Sequence, residues 1–148
     1  MNASPDATWD VRHHVFATIA DRGTAPNVAE TAAALNLPHA TVEVALAWLA
    51  ANAELVLASD GSVIMAHPFS NVPTPFSVTT GGQRWWANCA WDTFGILVAL
   101  QRDGVIEASY AEDGEPARIL VEGGTPIGMG VVHLLLPARE WTKDYFDT

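Results

Sequence analysis

Cysteine and basic residues are the two things this sequence has least of. Cys89 is the single cysteine among 148 residues, which excludes an internal disulfide and a multi-thiolate zinc site. Seven basic residues stand against seventeen acidic ones, and the resulting net charge of −10 disfavours nucleic acid and anionic lipid as partners. Any role for Cys89 must therefore be reactive, ligand-binding or structural.

Long hydrophobic runs are also missing. The longest run, around Ile96 to Leu100, is too short to span a bilayer. Residues 1–10 have neither the basic start nor the apolar centre of a secretion signal. Hydrophobic residues nevertheless make up 49% of the chain, which is ample for a core. These features predict a folded, cytoplasmic protein that forms one compact unit, or two small lobes that share an interface.

The first part of the chain has the spacing of helices followed by a hairpin. The predicted helices cover Thr8–Ala20, a short stretch through Leu35 that Asn27 caps, and His39–Asn52, while strands at Leu55–Ala58 and Ser62–Ala66 flank the turn Ser59-Asp60-Gly61. Three helices and a hairpin are typical of a winged helix. Residues 1–67 are therefore predicted to form a winged-helix-like lobe.

A proline-rich stretch separates this lobe from a second one. Residues 68–75 contain Pro68, Pro73 and Pro75 and are predicted to be a linker. Strands are predicted beyond it at Phe76–Thr80, Gln83–Asn88, Val105–Tyr110, Ala117–Glu122 and Val131–Leu136, with a buried helix at Ala90–Leu100. Residues 76–148 should thus form a small mixed β-sheet with one inner helix, which makes the fold class α+β.

A winged helix raises the question of DNA binding. No Lys or Arg occurs between Arg22 and Arg84. The third predicted helix, which would enter the DNA groove as the recognition helix, carries Glu43. Affinity for DNA that is independent of sequence comes largely from phosphate neutralisation by basic side chains. A metal-sensing winged-helix regulator is therefore disfavoured, and the first lobe is predicted to be a structural cover for the second.

The chemistry is concentrated around Cys89. A strand is predicted to give way to a helix at about this residue, where backbone N–H groups favour a thiolate, so we expect a depressed pKa for the cysteine. Asp92 lies three residues further on, on the same face of the first turn. A second negative charge raises the pKa of both groups, but we expect the helix N-terminus to prevail. One thiolate and one carboxyl group should then face one cavity.

These residues also have an ordinary structural interpretation. Free cysteines are often buried, an Asp in a first helical turn is a common cap, and aromatic residues usually belong to the core. Four aromatic residues are candidates either for the core or for an apolar substrate pocket, namely Trp85, Trp86, Trp91 and Phe94. Spacing alone leaves both interpretations open.

Histidines and glycines add no second site to this picture. None of the histidines forms an i, i+4 ligand pair, so each is predicted to be a surface or hydrogen-bonded residue; they are His13, His14, His39, His67 and His133. The glycine-rich stretches at 123–124 and 128–130 do not match a phosphate-binding loop. No cofactor is predicted.

The run Trp86-Ala87-Asn88-Cys89-Ala90-Trp91-Asp92-Thr93 resembles a segment of the alkylmercury (organomercurial) lyases. In that family an aromatic residue and an alanine precede a cysteine, which is followed by alanine, any residue, aspartate and threonine. Family members also place a winged-helix-like lobe ahead of this motif, and after it a Gly-Met-x-Val strand that ends in Leu-Pro. Gly128-Met129-Gly130-Val131 and Leu136-Pro137 match these features, so the resemblance covers most of the chain.

The resemblance implies a protonolytic cleavage of carbon–mercury bonds, as in mercury resistance. The Cys89 thiolate would bind the mercury of the substrate or product, and Asp92 would donate the proton to the departing carbon. Mercury is a soft metal that prefers sulfur, so these residue types suit the reaction. The implied partners are an organomercurial and small cellular thiols. Lyases of the family use a second cysteine, so the alternative is a thiol-based binding protein for organomercurials or soft metals without turnover.

The missing second cysteine generates a prediction about the gene. The chain stops at Thr148, shortly after the Leu-Pro match, where relatives continue into the segment with their second cysteine. We expect a UGA codon after Thr148 that inserts selenocysteine, because a selenol is softer and more easily ionised than a thiol. A short paralogue that only binds, or a sequencing or gene-calling error, are the alternatives. The nucleotide sequence decides: a UAA or UAG codon, or no in-frame continuation resembling the family, would contradict the prediction.

Overall fold

The computed structural model describes residues 5–110, 113–128 and 132, and the chain divides into two compact units, Met1–Ala66 and His67–Thr148. Helices and an antiparallel sheet make the fold α+β, as predicted. The strand predicted at Val131–Leu136 and the match at Leu136-Pro137 lie outside the described residues, apart from Val132, as does most of the Gly-Met-x-Val match. No helix in the described ranges has the length and apolar character to cross a membrane.

The first unit has the predicted order of elements. Its helices are α1 (Pro5–Arg22), α2 (Val28–Leu35) and α3 (His39–Ala51), and its hairpin strands are β1 (Val56–Leu57) and β2 (Val63–Ala66). In α1 the side chains of Val11, Val15 and Ile19 recur every four residues and are buried, because one face of an amphipathic helix packs into the core. The helical spacing predicted the three helices correctly, and the turn residues predicted the hairpin.

Local hydrogen bonds fix the ends of these elements. Asn27 caps α2 as predicted: its side chain accepts a hydrogen bond from the Glu30 N–H at 2.8 Å, and the Glu30 carboxylate accepts one from the Asn27 N–H. In the hairpin turn, Asp60 accepts a hydrogen bond from the Ser62 N–H at 2.9 Å, and Gly61 adopts a positive φ of 84°. Both features follow from residue types visible in the sequence.

The second unit contains six antiparallel strands and one helix. The strands are β3 (Phe69–Ser70), β4 (Ser77–Thr80), β5 (Gln83–Ala87), β6 (Gly104–Ser109), β7 (Pro116–Glu122) and β8 (Thr125–Ile127), in the spatial order β3-β5-β4-β6-β7-β8, and the helix is α4 (Ala90–Leu100). Every pairing within this part of the described chain is antiparallel, so the prediction of a mixed sheet was wrong. Short turns between neighbouring strands favour antiparallel pairing.

Two of these strands, β3 and β8, were not predicted from the sequence. Strand β3 lies within the stretch predicted to be a linker, where Phe69 pairs with Ala87 and Ser70 with Trp86, and both of its residues are buried. Strand β8 has only three residues, all exposed. Strands this short have no readable alternation, and the prolines around Phe69 resemble those of a loop. Residues 67–75 thus belong to the second unit and contain one of its strands.

Helix α4 crosses one face of the sheet. Strands β5 and β6 both run antiparallel to β4, hence parallel to each other, so the chain between them must pass over the sheet rather than turn back in a hairpin. Helix α4 makes this crossover and contacts β4, β5 and β6. Its buried residues are Thr93, Ile96 and Leu97. A row of buried side chains on neighbouring strands, Trp85, Val78 and Ile106, contributes to the core of this unit.

The glycine at the start of β6 allows a close approach of α4 to the sheet. A Cβ atom on Gly104 would lie 2.7 Å from the Thr79 carbonyl oxygen and 2.9 Å from the Leu97 Cδ2 atom. Both distances are shorter than van der Waals contact, and the carbonyl belongs to a paired strand that cannot move freely. The position therefore requires glycine.

Replacing Gly104 with Ala should lower the free energy of unfolding by about 1–3 kcal/mol, the usual cost of forcing an extra carbon into a packed core. Chemical denaturation followed by tryptophan fluorescence measures it. The control is Ser109→Ala at the exposed end of the same strand, which should change stability by less than about 0.5 kcal/mol. Equal effects for the two variants would show that the approach at Gly104 is not restrictive.

Candidate functional site

The site is built where strand β5 ends and helix α4 begins. Cys89 is the N-cap residue of α4, with extended backbone angles of φ −146° and ψ 177°, and its side chain makes no regular capping hydrogen bond. The Thr74 hydroxyl lies 2.6 Å from the Ala87 carbonyl oxygen, which holds the end of β5. The Thr93 hydroxyl donates to the Ala90 carbonyl at 2.6 Å within the first turn. Cys89 is thus held between two anchored segments, and its side chain is half-buried.

The structure brings Cys89 and Asp92 together, as the three-residue spacing predicted. Burial raises the pKa of the Cys89 thiol, while the Asp92 N–H lowers it. The negative charge of the Asp92 carboxylate raises the pKa again, the Trp91 N–H lowers it, and a hydrogen bond between the thiol and the carboxylate raises it further. The carboxylate side chain is only 19% exposed, so water screens its charge incompletely.

The direction of the Cys89 pKa shift contradicts one prediction from the sequence. The helix N-terminus was expected to depress the pKa of Cys89, but the pKa is raised above its ordinary value, because desolvation and the neighbouring carboxylate outweigh the backbone N–H groups. Burial was not visible in the sequence, and it is the largest contribution. Cys89 therefore keeps its proton at neutral pH, beside the Asp92 carboxylate.

Two further polar residues meet at this site. The His67 Nδ1 atom lies 3.8 Å from the Asp92 Oδ2 atom and 3.0 Å from the Asn88 Nδ2 atom. The Asn88 Oδ1 atom is buried and has no hydrogen-bond partner among the described residues. The imidazole is 39% exposed, so it lies between the solvent and the less exposed carboxylate. The cluster thus consists of Cys89, Asp92, His67 and Asn88.

No pattern in the sequence linked His67 and Asn88 to this site. His67 is 21 positions from Asn88, so no helical or strand periodicity links the two side chains. They meet because β3 pairs with β5, and β3 was not recognised. A histidine predicted to be an ordinary surface or hydrogen-bonded residue therefore lies beside the reactive pair. No three His, Cys, Asp or Glu side chains in the described parts of the chain are arranged so that they could hold one metal ion.

The aromatic residues proposed for a substrate pocket are separated by the fold. Trp85 is 1% exposed and belongs to the core, whereas Trp91 is 59% exposed. Trp86 is partly exposed, with the Arg84 guanidinium 5.6 Å from the centre of its ring. Only Phe94 of the four lines the cavity beside α4 in the described part of the chain. Alternation along β5 explains the difference between Trp85 and Trp86, because neighbouring strand residues face opposite sides of a sheet.

The cavity lies between α4 and the sheet and has a volume of about 210 Å³. Ala90, which follows Cys89, lines it together with Thr93 and Phe94 from the same helix. The other side chains around it are mainly apolar and come from β6, β7 and neighbouring residues; they include Phe76, Ile106, Ala108, Tyr110, Ala117 and Ile119. An apolar space therefore begins one residue away from the thiol.

A family model and a solved structure both match this chain, and both are alkylmercury lyase or MerB proteins. The family model of alkylmercury lyase (MerB) matches residues 69–146. The crystal structure of the mercury-bound form of MerB2 matches with a TM-score of 0.68 and 24% sequence identity, which shows a shared fold. The match covers 84% of this chain but only 60% of that one, so the chain spans less than two thirds of the solved protein. No protein of curated function matches significantly.

Replacing Asp92 with Asn should lower the pKa of Cys89, because the variant removes a negative charge and a hydrogen bond that favour the protonated thiol. Alkylation by iodoacetamide between pH 6 and 10 should then reach half its maximal rate at a lower pH. Asp10→Asn, in an exposed position of α1, is the matched control and should leave the profile unchanged. An unchanged or raised pKa in Asp92→Asn would show that the carboxylate does not act on the thiol.

Proposed function

The chain belongs to the alkylmercury lyase family, and on this basis we propose that it cleaves carbon–mercury bonds by protonolysis at Cys89 and Asp92. The observation that carries the proposal is the half-buried Cys89 thiol at the start of α4 with the Asp92 carboxylate close enough to raise its pKa. Mercury(II) is a soft ion that binds sulfur strongly, and release of the organic group requires a proton donor close to the metal-bound carbon. The pair supplies both.

The raised pKa of Cys89 gives the pair a source for this proton. The thiol is protonated at rest and becomes a thiolate when its sulfur bonds to the mercury of R–Hg⁺, so its proton passes to the Asp92 carboxylate. The carboxylic acid then protonates the carbon, and the electrons of the carbon–mercury bond form the new carbon–hydrogen bond. The products are R–H, mercury(II) bound to the Cys89 sulfur, and an ionised Asp92. Protons and charge balance without a cofactor.

The apolar cavity is the proposed site for the organic group. Its lining residues Ala90, Thr93 and Phe94 follow Cys89 on the same helix, so a group bonded to a mercury on that sulfur has a short path into it. Burial of apolar surface would favour the organic group there over water. The cavity volume of about 210 Å³ suits a small alkyl or aryl group. Of the four aromatic residues predicted for this pocket, Phe94 is retained in the proposal.

Release of the mercury requires a second sulfur. Cys89 is the single cysteine among the 148 residues, so we assign this role to small thiols such as glutathione. These thiols compete for mercury because the metal prefers sulfur to oxygen or nitrogen. A cytoplasmic location, expected from the sequence, suits this role because the cytosol keeps thiols reduced.

The single cysteine also favours a second candidate function. A protein with one thiol can capture an organomercurial without cleaving it, since capture needs only the sulfur–mercury bond. Lyase and binding protein differ in one measurable respect, namely whether the carbon–mercury bond breaks.

Incubation with phenylmercury acetate and an excess of glutathione tests the two functions. A lyase releases benzene, which gas chromatography detects, over more than one turnover per protein. Asp92→Ala should still form the phenylmercury adduct on Cys89, seen by mass spectrometry, but should release benzene roughly 100-fold or more slowly, the usual contribution of a general acid. Cys89→Ser should lose both adduct and benzene.

The outcomes separate the candidates. A stoichiometric adduct of the unmodified protein without benzene would favour capture and contradict the lyase. Benzene release that survives in Asp92→Ala would contradict the proton-donor role of Asp92. Loss of folded structure in this variant, measured by circular dichroism, would instead identify Asp92 as a residue needed for the helix N-terminus.

A further inference from the structure

The segment before β3 brings a histidine to the reactive pair. Phe69 pairs with Ala87 and Ser70 with Trp86, so β3 lies beside the end of β5, and His67 lies in the turn just before β3. His67 Nδ1 lies 3.8 Å from the Asp92 Oδ2 atom, and His67 belongs to a segment outside the motif around Cys89. Strand pairing thus supplies a group that the motif around Cys89 does not contain.

Packing holds this segment in place. A Cβ atom on Gly95 would lie 3.1 Å from the Pro68 Cβ atom, so Pro68 rests directly against the backbone of α4. Phe69 and Ser70, which follow Pro68, are buried. The imidazole therefore projects from an anchored backbone, and the packing of Pro68 against α4 fixes its distance to Asp92.

The Asn88 amide holds the ring. Its Nδ2 group lies 3.0 Å from His67 Nδ1 and donates a hydrogen bond when the ring carries its proton on Nε2. An imidazole fixed in this way restricts the Asp92 side chain by contact, whereas a protonated ring would pair with Asp92 through Nδ1 and could no longer accept the hydrogen bond from the Asn88 Nδ2 group. Asp92 also faces the thiol, so His67 and Cys89 confine one carboxylate between them.

We propose that His67, held by Asn88, is a positioning residue that keeps the Asp92 carboxyl group directed at the Cys89 sulfur during proton transfer. The proposal rests on the proposed lyase function. It assigns His67 no bond to mercury or to the substrate. Its measurable effect is on the protonation of carbon, because the proton that the thiol loses on capture can also pass to water, whereas the proposed donor to the carbon is the carboxyl group.

The experiment compares capture with release in single turnovers of phenylmercury, using the full chain. His67→Ala should form the Cys89 adduct at the normal stoichiometry but should release benzene about 10- to 100-fold more slowly, the scale expected when a reacting group is misplaced by about 1 Å. His67→Asn places an amide near the position of Nδ1 and should restore most of the rate. His67→Gln places its amide nearer to Nε2 and should not. His39→Ala, at an exposed position of α3, is the control.

Each outcome decides the proposal. A slow His67→Ala with a rescued His67→Asn supports it. Normal release in His67→Ala, or equal losses in the Asn and Gln variants, overturns it while the lyase function stands. If His67→Ala fails to fold, the comparison of Asn with Gln still decides, since both keep a polar side chain. An unmodified protein that captures phenylmercury and never releases benzene overturns the lyase function, and the role of His67 with it.

Discussion

The packing of α4 across the antiparallel sheet determines where each reactive group of the second unit lies. Strands β5 and β6 flank β4 and run in the same direction, so the connection between them has to cross the sheet. Helix α4 makes the crossover in eleven residues, and Gly104 permits its close approach. Cys89 stands at the point where the chain leaves the sheet for the helix. The thiol, the carboxyl group one turn later and the apolar cavity all follow from this junction.

Two opposite electrostatic effects act on the pKa of Cys89 at this junction. Backbone N–H groups at a helix N-terminus favour a thiolate, but burial and the Asp92 carboxylate favour a thiol, and together they prevail. For a nucleophile that must be ionised at rest this would be a defect. For a group that releases its proton only when a soft metal binds, it is an advantage, because the proton is stored beside the carboxylate that has to deliver it. The direction of the pKa shift thus agrees with protonolysis.

The position of β3 in the sheet brings its neighbouring residues to Asp92. The segment around β3 contributes two buried residues to the sheet, a proline against α4 and an imidazole beside Asp92. The family match begins at residue 69, so it includes β3 and the Cys89 motif but not His67. Cys89 and Asp92 therefore come from one segment of the chain and His67 from another, and the pairing of β3 with β5 brings the two segments together.

Local patterns in the sequence were sufficient for the helices and the reactive pair. Apolar spacing placed α4 at the residues where it is found, Asn27 and Gly61 marked a cap and a turn, and the three-residue spacing brought Asp92 to Cys89. These features depend on contacts within one turn of helix or one hairpin, so the chain encodes them locally.

Tertiary structure alone decided the remaining features. The pKa direction of Cys89 depends on how deeply the fold buries the thiol, and the different exposures of Trp85 and Trp86 depend on which face of the sheet is covered. His67 reaches the site through pairing of a two-residue strand with residues about 17 positions away, a separation at which no periodicity survives. Burial and long-range pairing arise from the packing of the whole unit, so they become visible only when the chain is folded.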